Sequence, residues 1–248
     1  LRHWEALRFL YPMKNKVHLW GETGLTHFRE KGFENLWVQE LSIGAQWFAK
    51  KGLAIDGAFR QRHRERGSGS QNTWLGARYT TGLHTLQFNW SYEDIETLRA
   101  HEADLQAHHL KTAFSLRMHP QWNSQLSLAY LNYDDTNTRT DLSAQVRHRL
   151  ILWPEWQIGT RLAFRDTRFQ SNRYYTPEGL YETEANLLYR RVWDTGWAIE
   201  GEGGLGWAND RIHGARWIRH GRVLLKRIWT DTLHTQLQAE LSRSPGYS

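Results

Sequence analysis

The sequence predicts an all-β fold: a transmembrane, antiparallel, up-and-down β-barrel of about 14–16 strands. Three observations carry this expectation. From Leu53 to Ser248 apolar and polar residues alternate in run after run, the runs are joined in turn by short turns and long polar loops, and aromatic residues gather at both ends of the runs. The clearest run is Trp197–Trp207, where Trp197, Ile199, Leu205 and Trp207 share one face while Glu200 and Glu202 share the other. Period two means strand, because successive side chains point to opposite faces.

In chain order the runs are Lys16–Phe28, Leu36–Phe48, Leu53–Arg64, Thr73–Thr81, Leu83–Asp94, Asp104–His119, Trp122–Asp134, Thr140–Leu152, Trp156–Phe169, Leu180–Val192, Trp197–Asn209, Ala215–Ile228 and Leu233–Ser242. At one end they meet through turn formers: Lys50-Lys-Gly52, Thr81-Gly82, Pro120-Gln121, Pro154-Glu155, Asp194-Thr-Gly196 and Thr230-Asp231. At the other end the connections are long and polar, as in Arg64–Asn72 and Gln170–Glu178. Short periplasmic turns with long external loops mark a bacterial outer-membrane barrel, whereas a soluble sandwich has no reason to segregate its loops. Thirteen runs leave one strand without a partner. Either His3–Tyr11 closes the ring against Leu233–Ser242, or the closing strand is missing. The second is expected, because Ser244-Pro-Gly-Tyr-Ser248 is loop-like and lacks a terminal aromatic.

Tryptophan placement gives the barrel its rims. Trp47, Trp122, Trp153, Trp156, Trp193, Trp197 and Trp229 flank the short turns, while Tyr92, Tyr133, Tyr181, Trp207 and Trp217 lie near the opposite ends. Two aromatic girdles separated by the apolar band of a tilted strand, roughly 25 Å, fit a bilayer. The mean hydropathy of −0.71 is consistent with such a wall, since only alternate residues face lipid. No run of eighteen apolar residues exists, so transmembrane helices are excluded.

The 248 residues carry no long linker and read as a single domain, 1–248. The opening Leu1-Arg-His-Trp4 has no apolar signal region, which suggests the C-terminal part of a longer chain. Zero cysteines exclude a disulfide-stapled fold. The net charge of +6 draws attention to Arg60-Gln-Arg-His-Arg-Glu-Arg66 as a phosphate-binding patch. However, basic residues are dispersed over all the runs, so nucleic acid is not expected. The cluster reads instead as a strand end entering a solvated loop, Gly67-Ser-Gly-Ser70, where arginine can meet lipopolysaccharide head groups.

Alternation assigns faces. Leu41, Ile43, Leu126, Leu128, Leu162 and Val223 point to lipid; Asp56, Arg60, Arg161, Arg165, Glu182, Glu184, Arg190, Glu200, Glu202 and Glu240 point inward as substrate-path candidates. With this many strands the interior is too wide for side chains to fill, so the inward groups should line water. Glu182 with Glu184, and Glu200 with Glu202, concentrate carboxylates on neighbouring strands. They read either as a guide for a cationic or hydroxyl-rich polymer or as ordinary lumen polarity neutralised by Arg161, Arg165 and Arg190. Among thirteen histidines no ligand spacing appears, because His108 and His109 point to opposite faces; no metal or other cofactor is expected. Asp134-Asp135 beside Tyr133 is the nearest approach to a protease-like acid pair, but adjacent loop acids are usually turn formers, and no enzyme is expected.

The loop Asn172-Arg-Tyr-Tyr-Thr-Pro-Glu-Gly-Leu-Tyr181, leading into a strand, resembles Tyr-rich, Pro-containing segments of the porin barrels that end tetratricopeptide-linked exopolysaccharide exporters. The Pel type is the first choice, followed by the poly-N-acetylglucosamine and cellulose exporters. The resemblance implies an outer-membrane channel for a hydrophilic biofilm-matrix glycan. It also implies as partners lipid and lipopolysaccharide, a periplasmic tetratricopeptide scaffold and export-complex subunits. No 34-residue helical repeat occurs within these residues. The alternative expectation is a general or substrate-specific diffusion porin for small polar solutes.

Overall fold

Strands with one apolar and one polar face leave unpaired edges unless the sheet closes on itself. In the computed structural model it does. The structure describes residues 2–13, 16–28, 36–65, 69–95, 100, 104–171, 173–174, 176–212, 214–230 and 233–243. Fourteen strands run in order: β1 (Arg2–Pro12), β2 (Val17–Phe28), β3 (Leu36–Lys50), β4 (Leu53–Arg64), β5 (Ser70–Thr81), β6 (His84–Asp94), β7 (Gln106–His119), β8 (Trp122–Tyr133), β9 (Thr138–Ile151), β10 (Glu155–Thr167), β11 (Leu180–Val192), β12 (Trp197–Asp210), β13 (Gly214–Ile228) and β14 (Leu233–Arg243). Each pairs antiparallel with its sequence neighbours, and β1 pairs with β14, from Arg2 opposite Glu240 to Phe9 opposite Leu233. The expected gap in the wall is therefore corrected: His3–Tyr11 supplies the fourteenth strand. The terminal run 244–248, and positions 66–68, 172, 175 and 231 within the sequence-assigned loops and turns, lie outside the described residues.

The alternation sets the faces as expected. On β3, Leu41 and Ile43 are exposed on the outer wall while Val38, Glu40 and Ser42 are buried inside. The register carries that phase around the ring, so that Leu205 opposes Ala185 and Glu202 opposes Arg222. The short turns need glycine where the chain reverses. At Gly52 (φ +83°) and Gly196 (φ +81°) a Cβ would fall 2.1 Å from the Thr80 carbonyl oxygen and 2.6 Å from that of Ile228. The same glycines accept hydrogen bonds from the Thr80 and Ile228 amides, tying each turn to the next strand.

Two expectations about the loop end need correction. Its connections are not uniformly long: β8 and β9 are joined by Asp134–Asn137 alone, and β12 and β13 by residues 211–213. Tyr133 does not join the outer aromatic rim. It faces inward, is buried, and stacks on Tyr174 at a ring separation of 4.3 Å.

Candidate functional site

The inner wall is a network of ion pairs built from alternate residues of neighbouring strands. The four carboxylates singled out from sequence are all partnered. Glu182 pairs with Arg165 (3.0 Å), Glu184 with His220 (3.2 Å), Glu200 with Arg222 (2.6 Å) and Glu202 with Arg147 (2.6 Å). The sequence expectation of Arg161 and Arg190 as neutralisers is corrected. Arg161 stands opposite Glu184, and Arg190 opposite Glu155 and Glu200, in the strand register. Yet among the described residues neither closes an ion pair with these acids, because Arg147, Arg222 and His220 reach them instead. Glycines make the room. A Cβ at Gly204 would fall 2.4 Å from the His220 ring and 2.8 Å from a Glu184 oxygen, and one at Gly159 would fall 2.9 Å from Arg147 Cγ.

Asp56 lies on the inner face beside Gly76, where a Cβ would come 2.9 Å from its carboxylate. Of Glu240, only the backbone register opposite Arg222 and Arg2 is described. A further inner row was not legible as a motif: Trp20, Gly44, Ala58 and Trp74 are opposed in turn on β2 to β5. The two indoles stack at 6.0 Å across the small residues between them.

The basic cluster at the end of β4 splits by alternation. Arg60 turns inward as alternation assigned it, as do Arg62 and Arg64, and the solvated, lipopolysaccharide-contacting role expected of the cluster is corrected. Arg62 and Arg64 are only 2% exposed. Arg62 meets Glu40 at 2.9 Å and Asp94 at 3.3 Å, and Arg64 meets Asp94 and Asp104. Arg60 donates to Ser42 Oγ at 3.0 Å and lies 3.6 Å from Glu40. Such buried cations persist only because each is paired.

Above this belt, side chains from the connections pack against the inner wall. Ala100 and Leu105 from the β6–β7 connection, Tyr174 from the β10–β11 connection, and Ala107 and Tyr133 from the wall form one buried apolar cluster. Tyr174 is the pin. Its hydroxyl donates to Asp135 at 2.9 Å and accepts from Asn137 Nδ2 at 2.9 Å. Asn137 also donates to the Phe169 carbonyl (2.8 Å) and accepts from its amide (2.9 Å), so the β8–β9 and β10–β11 connections are tied together. Burial pushes the Tyr174 hydroxyl pKa up and the adjacent Asp135 reinforces this, against the opposing hydrogen bond from Asn137. Asp134 accepts from Tyr92 at 3.1 Å, so both acids of the protease-like pair serve tyrosine hydroxyls. The sequence signal for this latch was the buried-type residues Tyr174 and Pro177 inside an otherwise polar loop.

The seven tryptophans that flank the short turns differ in exposure. Trp47, Trp122, Trp153, Trp197 and Trp229 are exposed, while Trp156 and Trp193 are half-buried. Arg227 sits over the rings of Trp197 and Trp229 at 5.1 and 5.0 Å. A concavity of about 1380 Å³ is not part of the lumen. It lies on the outer face, where Gly201, Gly203 and Gly221 leave a side-chain-deep hollow between Leu187, Leu205 and Val223, and it faces the membrane.

A closed ring with an apolar outer wall and a charged inner wall is the architecture of an outer-membrane β-barrel protein. No protein-family model matches the sequence, and no curated protein matches it. Among solved structures the fold is shared with a bacterial polysaccharide outer membrane secretin, at TM-score 0.71 and 11% identity, over 98% of this chain and 99% of that one. CdiB from Acinetobacter baumannii (TM-score 0.49, 10% identity, 98% of this chain and 60% of that one) is more distant. So is OpdQ from Pseudomonas aeruginosa (0.46, 10%, 98% and 97%).

Proposed function

We propose that this barrel is an outer-membrane channel through which a hydrophilic exopolysaccharide of the biofilm matrix leaves the cell. The inner wall carries the reading. Paired arginines and carboxylates offer hydrogen-bond donors and acceptors in close succession, which suits a hydroxyl-rich chain stepping from site to site and offers nothing to an apolar solute. Because Glu182, Glu200 and Glu202 each pair with an arginine and Glu184 pairs with His220, these residues contribute hydrogen-bonding polarity more than a net negative field. The seven tryptophans of the short-turn rim would sit at the lipid head-group level on the periplasmic side.

The whole-length fold likeness to a polysaccharide secretin supports this solute class. The sequence resemblance adds the class of tetratricopeptide-linked exporters, with a periplasmic tetratricopeptide scaffold and export-complex subunits as partners and lipopolysaccharide around the wall. Deletion from the native host should abolish cell-free matrix glycan, and the intact protein should restore it. Unchanged secretion together with lost uptake of small polar solutes would establish a diffusion porin instead.

A further inference from the structure

We propose that the periplasmic mouth of the lumen is a subsite for an acidic sugar, so that the glycan carried by this barrel is polyanionic. The inference rests on the reading of the barrel as a glycan channel, and it names the class of glycan. A polar cavity of about 350 Å³ opens at the short-turn end between β5 and β10, a volume at the small end of ligand sites. Its lining contains four arginines, Arg78, Arg117, Arg147 and Arg149, and no aspartate or glutamate.

Two of the four are already committed. Arg147 holds Glu202 at 2.6 Å, and Arg149 donates to Glu155 at 3.0 Å. Arg78 and Arg117 are exposed to the lumen and form no ion pair among the described residues. The acid that interacts with Arg78 from outside the cavity, Asp56, makes no ion pair with it. Two uncommitted guanidiniums beside two committed ones make a local positive field, which a low-dielectric wall focuses.

The remaining lining fits a sugar. Gln87, Asn123 and Gln157 bring side-chain amides, and Thr80, Thr85 and Ser115 bring hydroxyls, so a ring's hydroxyl groups find both donors and acceptors. A carboxylate on the same ring would find the planar fork that arginine offers to carboxylates in two-point contact. A chain of protonated amino sugars would instead enter against the two arginines that no carboxylate pairs among the described residues. Deeper in the lumen the paired network is close to neutral, so charge selection falls at the mouth and passage falls to the wall.

Titration calorimetry on the full chain folded in detergent tests this, with tetragalacturonate, its methyl-esterified neutral counterpart and a chitosan tetramer as probes. Tetragalacturonate should bind at least about tenfold more tightly than the neutral tetramer, and the double variant Arg78→Gln/Arg117→Gln should remove that margin. Arg78→Lys/Arg117→Lys should keep part of it. Heat-shifted gel mobility shows whether each variant is a folded barrel. Equal binding of the acidic and neutral tetramers overturns the inference, as does acidic binding untouched by the glutamine variant. Tight binding of the chitosan tetramer alone overturns it while leaving the glycan channel standing. Binding of none of the three overturns both.

Discussion

Arg147 of β9 reaches past β10 and β11 to Glu202 of β12, with 2.6 Å between Nη2 and Oε1. The span is open because Gly159 lies beneath the arginine stem, where any side chain would collide with it or with Asn186. Glu202→Ala should therefore leave a half-buried guanidinium without its main acceptor and cost about 1–3 kcal/mol. Urea unfolding of the barrel in lipid vesicles, followed by tryptophan fluorescence, measures the loss. A change within experimental scatter would show that water screens the pair.

The Tyr174 latch predicts a protected loop, against the ordinary expectation that long external loops are open to protease. Tyr174 is 5% exposed, and Pro177 is fully buried. Protease added to intact cells should leave 170–178 uncut in the wild type and cleave it in Tyr174→Phe, which deprives Asp135 and Asn137 of their shared partner. Cutting at the same rate in both proteins would mean that the hydroxyl holds nothing.

The same residue fixes the pH response. Its pKa is raised in the folded barrel, so its contribution is fully present below the ordinary tyrosine range and is lost only as pH rises through the raised value. Loop protection should stay flat from mildly acidic to mildly alkaline conditions and fail only in strong alkali. Ultraviolet titration should show a late tyrosinate step whose amplitude falls by one tyrosine in Tyr174→Phe. Failure of protection near neutrality would place the control on another group.

Fold and face were legible in the sequence because both follow from a period of two. The runs Leu53–Arg64 and Leu180–Val192 coincide with β4 and β11, and Leu41, Leu162 and Val223 stand on the outer wall as assigned. What alternation could not supply is pairing between strands distant in sequence. Inward acids and bases were recognised, but which arginine meets which glutamate depends on glycines such as Gly159 and Gly204 that clear the way. The solvated reading of the basic cluster that holds Arg62 and Arg64 failed for a related reason. Their acceptors, Glu40, Asp94 and Asp104, come from three other segments of the chain. The latch escaped notice because a polar loop with two tyrosines and one proline looks solvated until its neighbours are known.

Leu205 and Glu202 test wall and register together. They stand three residues apart on β12, on opposite faces, with Leu205 67% exposed on the outer wall and Glu202 held inside by Arg147 and Arg222. Spin labels at the two positions should respond oppositely, the first to lipid-dissolved oxygen and the second to an aqueous nickel chelate. Charge should discriminate in the same sense. Leu205→Arg forces a guanidinium into the apolar band and should cost about 2–4 kcal/mol if the position lies near the bilayer midplane, less toward either interface. Glu202→Gln keeps a polar side chain in a polar lumen and should cost less. Reversed accessibility at the two labels would mean that β12 is slipped by one residue, a shift that would also set Glu200 and Glu202 against lipid and separate them from Arg222, and equal accessibility would mean that the two positions do not lie on opposite faces.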